Sequence, residues 1–216
     1  LLSSNSGRCI VLAAPEVPLK IRHHLLKLAT THRAFRVASF TNGEIAAARD
    51  LKMFSSIDLV ALNEDEASTL AGKSLDAGKP QPFLRACAAA LTALQPEICI
   101  VVTAGKKGAY AFADGLWGHC PAPTVPVAST AGAGDALLGG VIAALAVGVP
   151  LIQPGLPRKT FRDRPLNSAL DFGVLLASLT VTSPHTIHPT ANLDAMLEFA
   201  NQLGVTFAEG MRPFFN

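Results

Sequence analysis

Residues 129–140 read S-T-A-G-A-G-D-A-L-L-G-G, and this stretch places an acid among glycines where a helix is predicted to begin. The acid is Asp135, which is preceded by Gly132 and Gly134 and followed by a long apolar run. Glycine destabilises a helix relative to alanine, so its use here needs a reason. A glycine turn leaves backbone N–H groups bare, and the helix N-terminus adds partial positive charge. The stretch therefore predicts a site for an anion, above all a phosphate.

Asp135 would repel that anion, so it is not the anion's partner. We interpret it as a base that takes a proton from an attacking hydroxyl group, while the backbone N–H groups stabilise the charge on a transferring phosphoryl group. The alternative is structural: Asp135 caps the helix and the glycines permit close packing. The stretch alone leaves both interpretations open.

The composition limits the class of protein. The chain has 216 residues, 50% of them hydrophobic, and its 18 Lys+Arg against 16 Asp+Glu give a net charge of +2. This charge is too small to argue for a nucleic-acid partner. With one Trp and one Tyr, the chain also has few aromatic rings on which the bases of a single-stranded nucleic acid could stack. Four widely spaced cysteines without a C-x-x-C pair are expected to be free buried thiols in a reducing cytoplasm: Cys9, Cys87, Cys99 and Cys120.

The N-terminus and the longest uncharged run raise questions of targeting. The opening L-L-S-S-N-S-G-R lacks the features of a signal peptide and does not begin with Met, so we expect the natural protein to begin upstream. The run from Ala136 to Pro157 has no charge, but Gly148 and Pro150 interrupt it before the ~20 residues needed to span a bilayer. A buried core helix is expected there, with no membrane partner.

Apolar runs alternate with helix-length segments along the chain. Runs rich in β-formers predict strands at 9–13, 36–40, 58–62 and 98–103, and a D-G turn predicts a hairpin of 109–113 with 116–120. Helices are predicted at 18–32, 43–54, 81–95, 133–147, 166–180 and 192–203, with a short segment at 64–71 and a loop rich in proline and charge at 153–165. Apolar strands separated by helices predict a three-layer α/β/α fold with a mainly parallel central sheet, forming one domain over residues 1–216.

Two further strand ends carry candidate chemistry, because ligands of open α/β sheets bind beyond the carboxyl ends of strands. Asn63-Glu64-Asp65-Glu66 follows a buried strand; its acids suit a helix start, or Asn63 and Glu66 point toward a metal-bound phosphate. The segment 103–108, T-A-G-K-K-G, is either a tight connection or the lining of a nucleotide site. A looser Walker A match at 67–74 has one glycine and is rejected.

The three segments, in this order and spacing, resemble the ribokinase-like (PfkB) carbohydrate kinase family. The family's D-T-x-G-A-G-D signature stands here as S-T-A-G-A-G-D, its N-x-x-E element as N-E-D-E, and its T-x-G-x-x-G element as T-A-G-K-K-G. The resemblance runs over essentially the whole chain. It implies an ATP-dependent phosphotransferase that acts on an alcohol group of a sugar or nucleoside, in the cytoplasm.

The resemblance also implies roles for individual residues. Asp135 is the catalytic base, and the anion hole is formed by Gly132, Ala133 and Gly134. The nucleotide site is lined by Asn63, Thr103, Gly105, Lys106 and Gly108. Glu66 organises Mg²⁺, largely through water.

Departures from the family pattern leave several points open. Ser129 stands in place of the family's leading Asp, which helps to hold a monovalent cation. The sequence therefore leaves undecided whether a K⁺ site exists near Ser129 and Ala131. Val174 stands where several relatives have an Asn close to adenine. The family's N-terminal part, with its sugar site and lid, is expected to be missing from this chain. Because family members pair through that lid, a homodimer is expected only for the complete protein.

Two alternatives to a generic sugar kinase remain open. The tail from Leu176 to Leu193, L-A-S-L-T-V-T-S-P-H-T-I-H-P-T-A-N-L, is similar to the pseudouridine kinase branch. His185 and His188 in that tail are three residues apart, and a loop role is favoured over metal binding because no third ligand is evident. The other alternative is an inactive or truncated relative that binds nucleotide only.

Overall fold

The computed structural model describes residues 9–76, 78–153 and 158–214. Six strands form one sheet in sequence order, and their bounds are β1 Ile10–Ala13, β2 Phe35–Ser39, β3 Leu59–Asn63, β4 Cys99–Thr103, β5 Ala109–Ala113 and β6 Leu116–Cys120. Strands β1 to β4 are parallel, with Val37 opposite Leu59 and Leu59 opposite Cys99. The predicted strands and the mainly parallel sheet are confirmed.

Strands β5 and β6 are joined by the two residues Asp114 and Gly115, both with positive φ, 51° and 79°. This is the combination of a type I′ hairpin turn, which the D-G pair predicts.

Seven α-helices lie within the described ranges: α1 Leu19–Thr31, α2 Ile45–Asp50, α3 Glu64–Ala71, α4 Gln81–Thr92, α5 Ala133–Ala146, α6 Ala169–Thr180 and α7 Leu193–Gln202. Five of them match predicted helices to within three residues at each end, and α3 occupies the short segment at 64–71. The exception is the segment predicted as one helix at 43–54. Residues 154–157 of the predicted loop at 153–165 lie outside the described residues.

The segment 43–54 is not one helix. It forms a 3₁₀ turn at Asn42–Glu44, the short helix α2, and a second 3₁₀ turn at Met53–Ser56. The break falls at Lys52, which adopts the left-handed conformation with φ 54°. A residue in that conformation ends an α-helix.

The described chain divides into two compact units. The sheet unit contains residues 9–76, 78–103 and 112–117, and the helical unit contains residues 104–111, 118–153 and 158–214. In the sheet unit, α1 packs on β1 and β2, and α3 packs on β3 and β4. In the helical unit, α5 and α6 make the most extensive helix contact, and α7 packs on α6.

The thiols are mostly interior. Cys87, Cys99 and Cys120 are buried and free, as predicted, whereas Cys9 is exposed, so the expectation of burial is wrong for that residue. Burial raises the pKa of the Cys87 thiol to about 12. No helix of the described ranges is long and apolar enough to cross a bilayer.

Candidate active site

Helix α5 begins where the sequence predicts, immediately after a left-handed glycine. Gly132 is the N-cap residue, with φ 78° and ψ −3°, and no side chain caps the helix. Asp135 lies in the first turn. The structural alternative for Asp135, that it caps the helix, is therefore wrong.

Asp135 is available for chemistry. Its side chain is exposed and makes no hydrogen bond or ion pair with any described residue. The N–H groups of Gly132, Gly134 and Asp135 likewise donate to no acceptor in the described ranges, whereas the Ala133 N–H donates to the Thr130 carbonyl at 3.3 Å. Unpaired N–H groups at a helix N-terminus are the arrangement that binds anions.

The glycines of 132–140 have different surroundings. A Cβ at Gly132 would overlap the carbonyl oxygen of Thr186, so both the positive φ and the close backbone contact require glycine. A Cβ at Gly140 would lie 2.9 Å from the Gly173 Cα, where α5 contacts α6. Gly134 and Gly139 have nothing within 4 Å of an added Cβ. Close packing thus explains Gly132 and Gly140 but not Gly134.

Ser129 and Ala131 lie in the connection that leads into this turn. The Ser129 hydroxyl oxygen accepts a hydrogen bond from the Ala131 N–H at 3.2 Å, and the Ser129 N–H donates to the Val181 carbonyl at 3.3 Å. Ser129 has no carboxylate for a cation, and its hydroxyl oxygen already accepts one bond. A monovalent-cation site here stays a prediction.

Asn63 and Glu66 form a complete capping box at the start of α3. The Asn63 Oδ1 accepts from the Glu66 N–H at 2.9 Å, and the Glu66 Oε2 accepts from the Asn63 N–H at 2.8 Å. The Asn63 Nδ2 also donates to the Glu66 Oε1 at 2.8 Å. The structural role that the sequence offered for this acidic turn is therefore present, and the ligand role stays a prediction.

The electrostatics around Glu66 favour a nearby cation. Burial raises the pKa of Glu66, the hydrogen bond from the Asn63 N–H opposes this rise, and the negative charges of Asp65 and Glu44 add to it. Burial alone would also raise the pKa of Glu44, but hydrogen bonds from the Thr41 N–H and from Arg22 lower it overall. A hydrated Mg²⁺ held near Glu66 would relieve the repulsion between like charges.

Arg22, which pairs with Glu44, is a buried residue that the sequence did not indicate as part of this region. It is 1% exposed, and its Nη1 donates to the Ser39 carbonyl at 2.9 Å while its Nη2 contacts the Glu44 carboxylate. The two residues are 22 positions apart, so no local pattern reveals the pair.

Thr103 ends β4 and pairs in register with Asn63 at the end of β3. The turn that follows begins with a 3₁₀ segment, Gly105–Lys107, closed by hydrogen bonds from the Ala104 N–H to the Gly108 carbonyl at 2.8 Å and from the Gly108 N–H to the Gly105 carbonyl at 3.0 Å. Gly105 and Lys106 are exposed. The predicted tight connection is confirmed, and its role toward a nucleotide stays a prediction.

The structure places Val174 inside a helix and the two histidines of the tail in a loop. Val174 lies inside α6, is 2% exposed, and its carbonyl accepts from the Ser178 hydroxyl at 2.7 Å. His185 and His188 lie in the loop between α6 and α7, where the His188 Nδ1 accepts from the Thr190 N–H at 3.3 Å. In the described chain no group of three or more His, Cys, Asp or Glu residues is placed to hold a metal ion.

The predicted site residues fall into three local groups. Asn63, Glu66 and Thr103 lie together at the carboxyl ends of β3 and β4 in the sheet unit. The helical unit contains the other two groups, which are the turn at 105–108 and the start of α5 at 132–135.

Comparisons with known proteins show the family and the fold of this chain. Residues 4–193 match the profile of a family described as "pfkB family carbohydrate kinase". No curated protein sequence matches the chain.

Three solved structures show the same fold. The Arabidopsis thaliana ribokinase complexed with ribose and ATP matches 88% of this chain at 22% identity and a TM-score of 0.67. Escherichia coli phosphofructokinase-2 matches 91% at 20% identity and a TM-score of 0.64. Salmonella enterica aminoimidazole riboside kinase matches 89% at 17% identity and a TM-score of 0.63. The chain covers 55%, 58% and 63% of those three chains respectively.

Proposed function

Because this chain belongs to the pfkB family of carbohydrate kinases, we propose that it transfers a phosphoryl group from ATP to an alcohol group of a sugar or nucleoside. We propose further that residues 1–216 act as one kinase domain. The observation that carries the proposal is the start of α5, where an exposed Asp135 without a protein partner stands next to unpaired backbone N–H groups. Gly134 in the same turn has open space at its Cα, so close packing does not account for that glycine.

In the proposed mechanism the hydroxyl oxygen of the substrate attacks the γ-phosphorus of ATP, and Asp135 accepts the proton of that hydroxyl group. The anion hole of Gly132, Ala133 and Gly134 stabilises the negative charge on the transferring group. The N–H groups of Gly132 and Gly134 have no acceptor in the described residues, whereas the Ala133 N–H donates to the Thr130 carbonyl. The open space at the Gly134 Cα lets a phosphate approach the backbone closely. Bound ATP supplies the phosphoryl group and ADP leaves.

We propose that the nucleotide contacts Asn63, Thr103, Gly105, Lys106 and Gly108. Glu66 acts on Mg²⁺ through water, because both of its oxygens already accept hydrogen bonds from Asn63. Escherichia coli phosphofructokinase-2 has been solved in complex with potassium, so K⁺ is included in the binding test below. Ser129 stands here in place of the family's acid.

Two measurements on the 216-residue chain test the proposal. Calorimetry with Mg·ATP, with and without K⁺, should show saturable binding. An ADP-release screen with ribose, pseudouridine and other nucleosides as acceptors should then identify the substrate class, and a preference for pseudouridine would assign the chain to the branch suggested by residues 176–193. Binding without ADP release from any acceptor would favour a nucleotide-binding relative that is not a kinase, and absence of binding would contradict the proposal.

A further inference from the structure

His119, on β6, contacts the turn at 105–108 from the side. Its Nε2 lies 2.9 Å from the carbonyl oxygen of Lys107. Residues 104–111 and 119 belong to the same compact unit. The predicted nucleotide turn is therefore attached to the neighbouring strand through one side chain that the motif does not contain.

The chemistry of this contact fixes the protonation of the imidazole. A backbone carbonyl can only accept, so the Nε2 carries the proton and donates it. Burial lowers the pKa of His119, and the hydrogen bond to the Lys107 carbonyl only partly opposes this effect. The neutral ring with a protonated Nε2 is therefore the form that holds the turn at neutral pH.

The ring of His119 is held in place by stacking. It lies on the ring of Tyr110 with a centroid distance of 4.3 Å and an interplanar angle of 21°. Tyr110 is 6% exposed and belongs to β5. A ring fixed in this way gives its donor a defined direction, so the hydrogen bond loses little entropy when it forms.

The same strand end packs against the last residue of the turn. A Cβ at Gly108 would overlap the Cys120 carbonyl oxygen and lie 2.7 Å from the Ala122 N atom. Gly108 has φ 92° and ψ −136°, a conformation that suits glycine. The backbone of 120–122 and the imidazole of His119 thus fix opposite ends of a short segment, Lys107 and Gly108.

We propose that His119 is a positioning residue for nucleotide binding, and that it acts by donating its Nε2–H to the Lys107 carbonyl and so fixing the backbone of the 105–108 turn. The inference rests on the proposed function, because the turn contacts a nucleotide only if the chain binds ATP. His119 itself touches neither nucleotide nor substrate. Its effect is on the affinity for nucleotide, and the phosphoryl-transfer step is left unchanged.

Three variants separate the donor from the ring. His119→Phe keeps a ring to stack on Tyr110 and removes the donor. His119→Gln keeps an N–H donor at the end of a side chain of similar reach. His119→Asn carries an amide that is too short to reach Lys107, and serves as a second loss of the contact if the Phe variant folds poorly. His23→Gln is the matched control, because burial also lowers the pKa of His23 but it lies on α1 in the other unit.

The first readout does not depend on nucleotide. Hydrogen exchange of the Lys107 and Gly108 amides, which donate to the Ala104 and Gly105 carbonyls at 3.0 Å each, reports on the turn itself. Loss of one hydrogen bond predicts exchange about three- to tenfold faster in His119→Phe and His119→Asn. His119→Gln and His23→Gln should exchange as the wild type does. Unchanged exchange in the Phe and Asn variants would overturn the inference.

The second readout is the Kd for Mg·ATP from calorimetry. His119→Phe and His119→Asn should bind about three- to tenfold more weakly, with His119→Gln restoring the wild-type value. Faster exchange with an unchanged Kd would overturn the role of His119 while the proposed function stands. A wild-type chain that fails to bind Mg·ATP would overturn both, and the exchange data would show whether the turn is still fixed by His119.

Discussion

At the scale of single residues, the glycines around Asp135 serve different purposes. Gly132 is required by its positive φ and by its contact with the Thr186 carbonyl, whereas Gly134 and Gly139 face open space. Gly134 directly precedes the proposed base, and Gly139 lies five residues further along α5. The two positions therefore separate a glycine needed for ligand approach from one that is merely tolerated.

Alanine at Gly134 and Gly139 tests this difference. Neither substitution should lower the Tm, because alanine is favoured over glycine in a helix by about 0.5–1 kcal/mol. Phosphoryl transfer should fall about tenfold to a hundredfold in Gly134→Ala, whose methyl group displaces the phosphate, and should be unchanged in Gly139→Ala. Thermal unfolding and ADP release check the pair. Equal activity in both variants would contradict a ligand role for Gly134.

Glu66 combines a structural and a proposed chemical role, and Glu66→Gln separates them. Glutamine keeps an acceptor for the Asn63 N–H, as capping boxes with Gln do, and loses only the second, exposed hydrogen bond from the Asn63 Nδ2. Because the pKa of Glu66 is raised above 4.5 in the folded state, its charge weakens the fold once the pH rises through that folded pKa. The Tm at pH 7 should therefore fall by no more than about 2 °C.

The same variant should need several-fold more Mg²⁺ for half-maximal activity, since the charge that attracts the hydrated ion is gone. A magnesium titration at fixed ATP measures this. Asn63→Ala is the control for the cap, and it should cost about 1 kcal/mol of unfolding free energy. An unchanged magnesium requirement in Glu66→Gln would leave Glu66 with the capping role alone.

At the scale of elements, α5 and α6 approach closely through two glycines. A Cβ at Gly173 would lie 2.7 Å from the Leu137 carbonyl oxygen and 2.8 Å from the Val141 Cγ2. Gly173→Ala should therefore destabilise the protein by about 1–3 kcal/mol through overpacking. Urea unfolding measures this loss, with Gly139→Ala as the control in the same helix pair. A Gly173→Ala variant as stable as the wild type would show that the helices can move apart at little cost.

The sequence predicted most elements because their signals are local. The D-G pair marked the turn at Asp114 and Gly115, and the apolar runs marked β1 to β4. The break after α2 was missed because it falls at a left-handed Lys52, and no glycine or asparagine marks that position.

Parts of the candidate site were also beyond sequence reasoning. The pattern N-x-x-E serves equally as a capping box and as a ligand element, so it could not separate the roles of Asn63 and Glu66. The contacts of Arg22 with Glu44 and of His119 with Lys107 join residues 22 and 12 positions apart. Such pairs depend on which strands and helices become neighbours, and no local spacing contains that information.

At the scale of the whole molecule, the reactivity of the buried cysteines reports on the opening of each compact unit separately. Cys87 and Cys99 belong to the sheet unit and Cys120 to the helical unit, and all three are buried. Burial raises the pKa of the Cys99 thiol to about 12 and that of Cys120 well above its ordinary value. Since the thiolate is the reactive form, these thiols should react only when their unit opens.

Labelling with iodoacetamide, followed by peptide mass spectrometry, tests this. Cys9, which is exposed, should react at once, and the other three should react at least about a hundredfold more slowly without denaturant. Saturating Mg·ATP should slow the labelling of Cys120 further, because a ligand that binds the native state stabilises it. Rapid labelling of Cys120 in the native chain would contradict its burial.

The central claim is that Asp135 acts as the base in a phosphoryl transfer, and Asp135→Asn tests it most directly. Asp194→Asn is the matched control, because Asp194 is an exposed acid in the first turn of α7. Both variants lose the same favourable interaction with a helix dipole, so their Tm values should change alike.

The decisive measurement is ADP release with the identified acceptor, with the Kd for Mg·ATP determined in parallel. We expect turnover to fall about 10²- to 10⁴-fold in Asp135→Asn, with nucleotide binding retained and Asp194→Asn as active as the wild type. Turnover in Asp135→Asn equal to that of the wild type would contradict the role of Asp135 as the base.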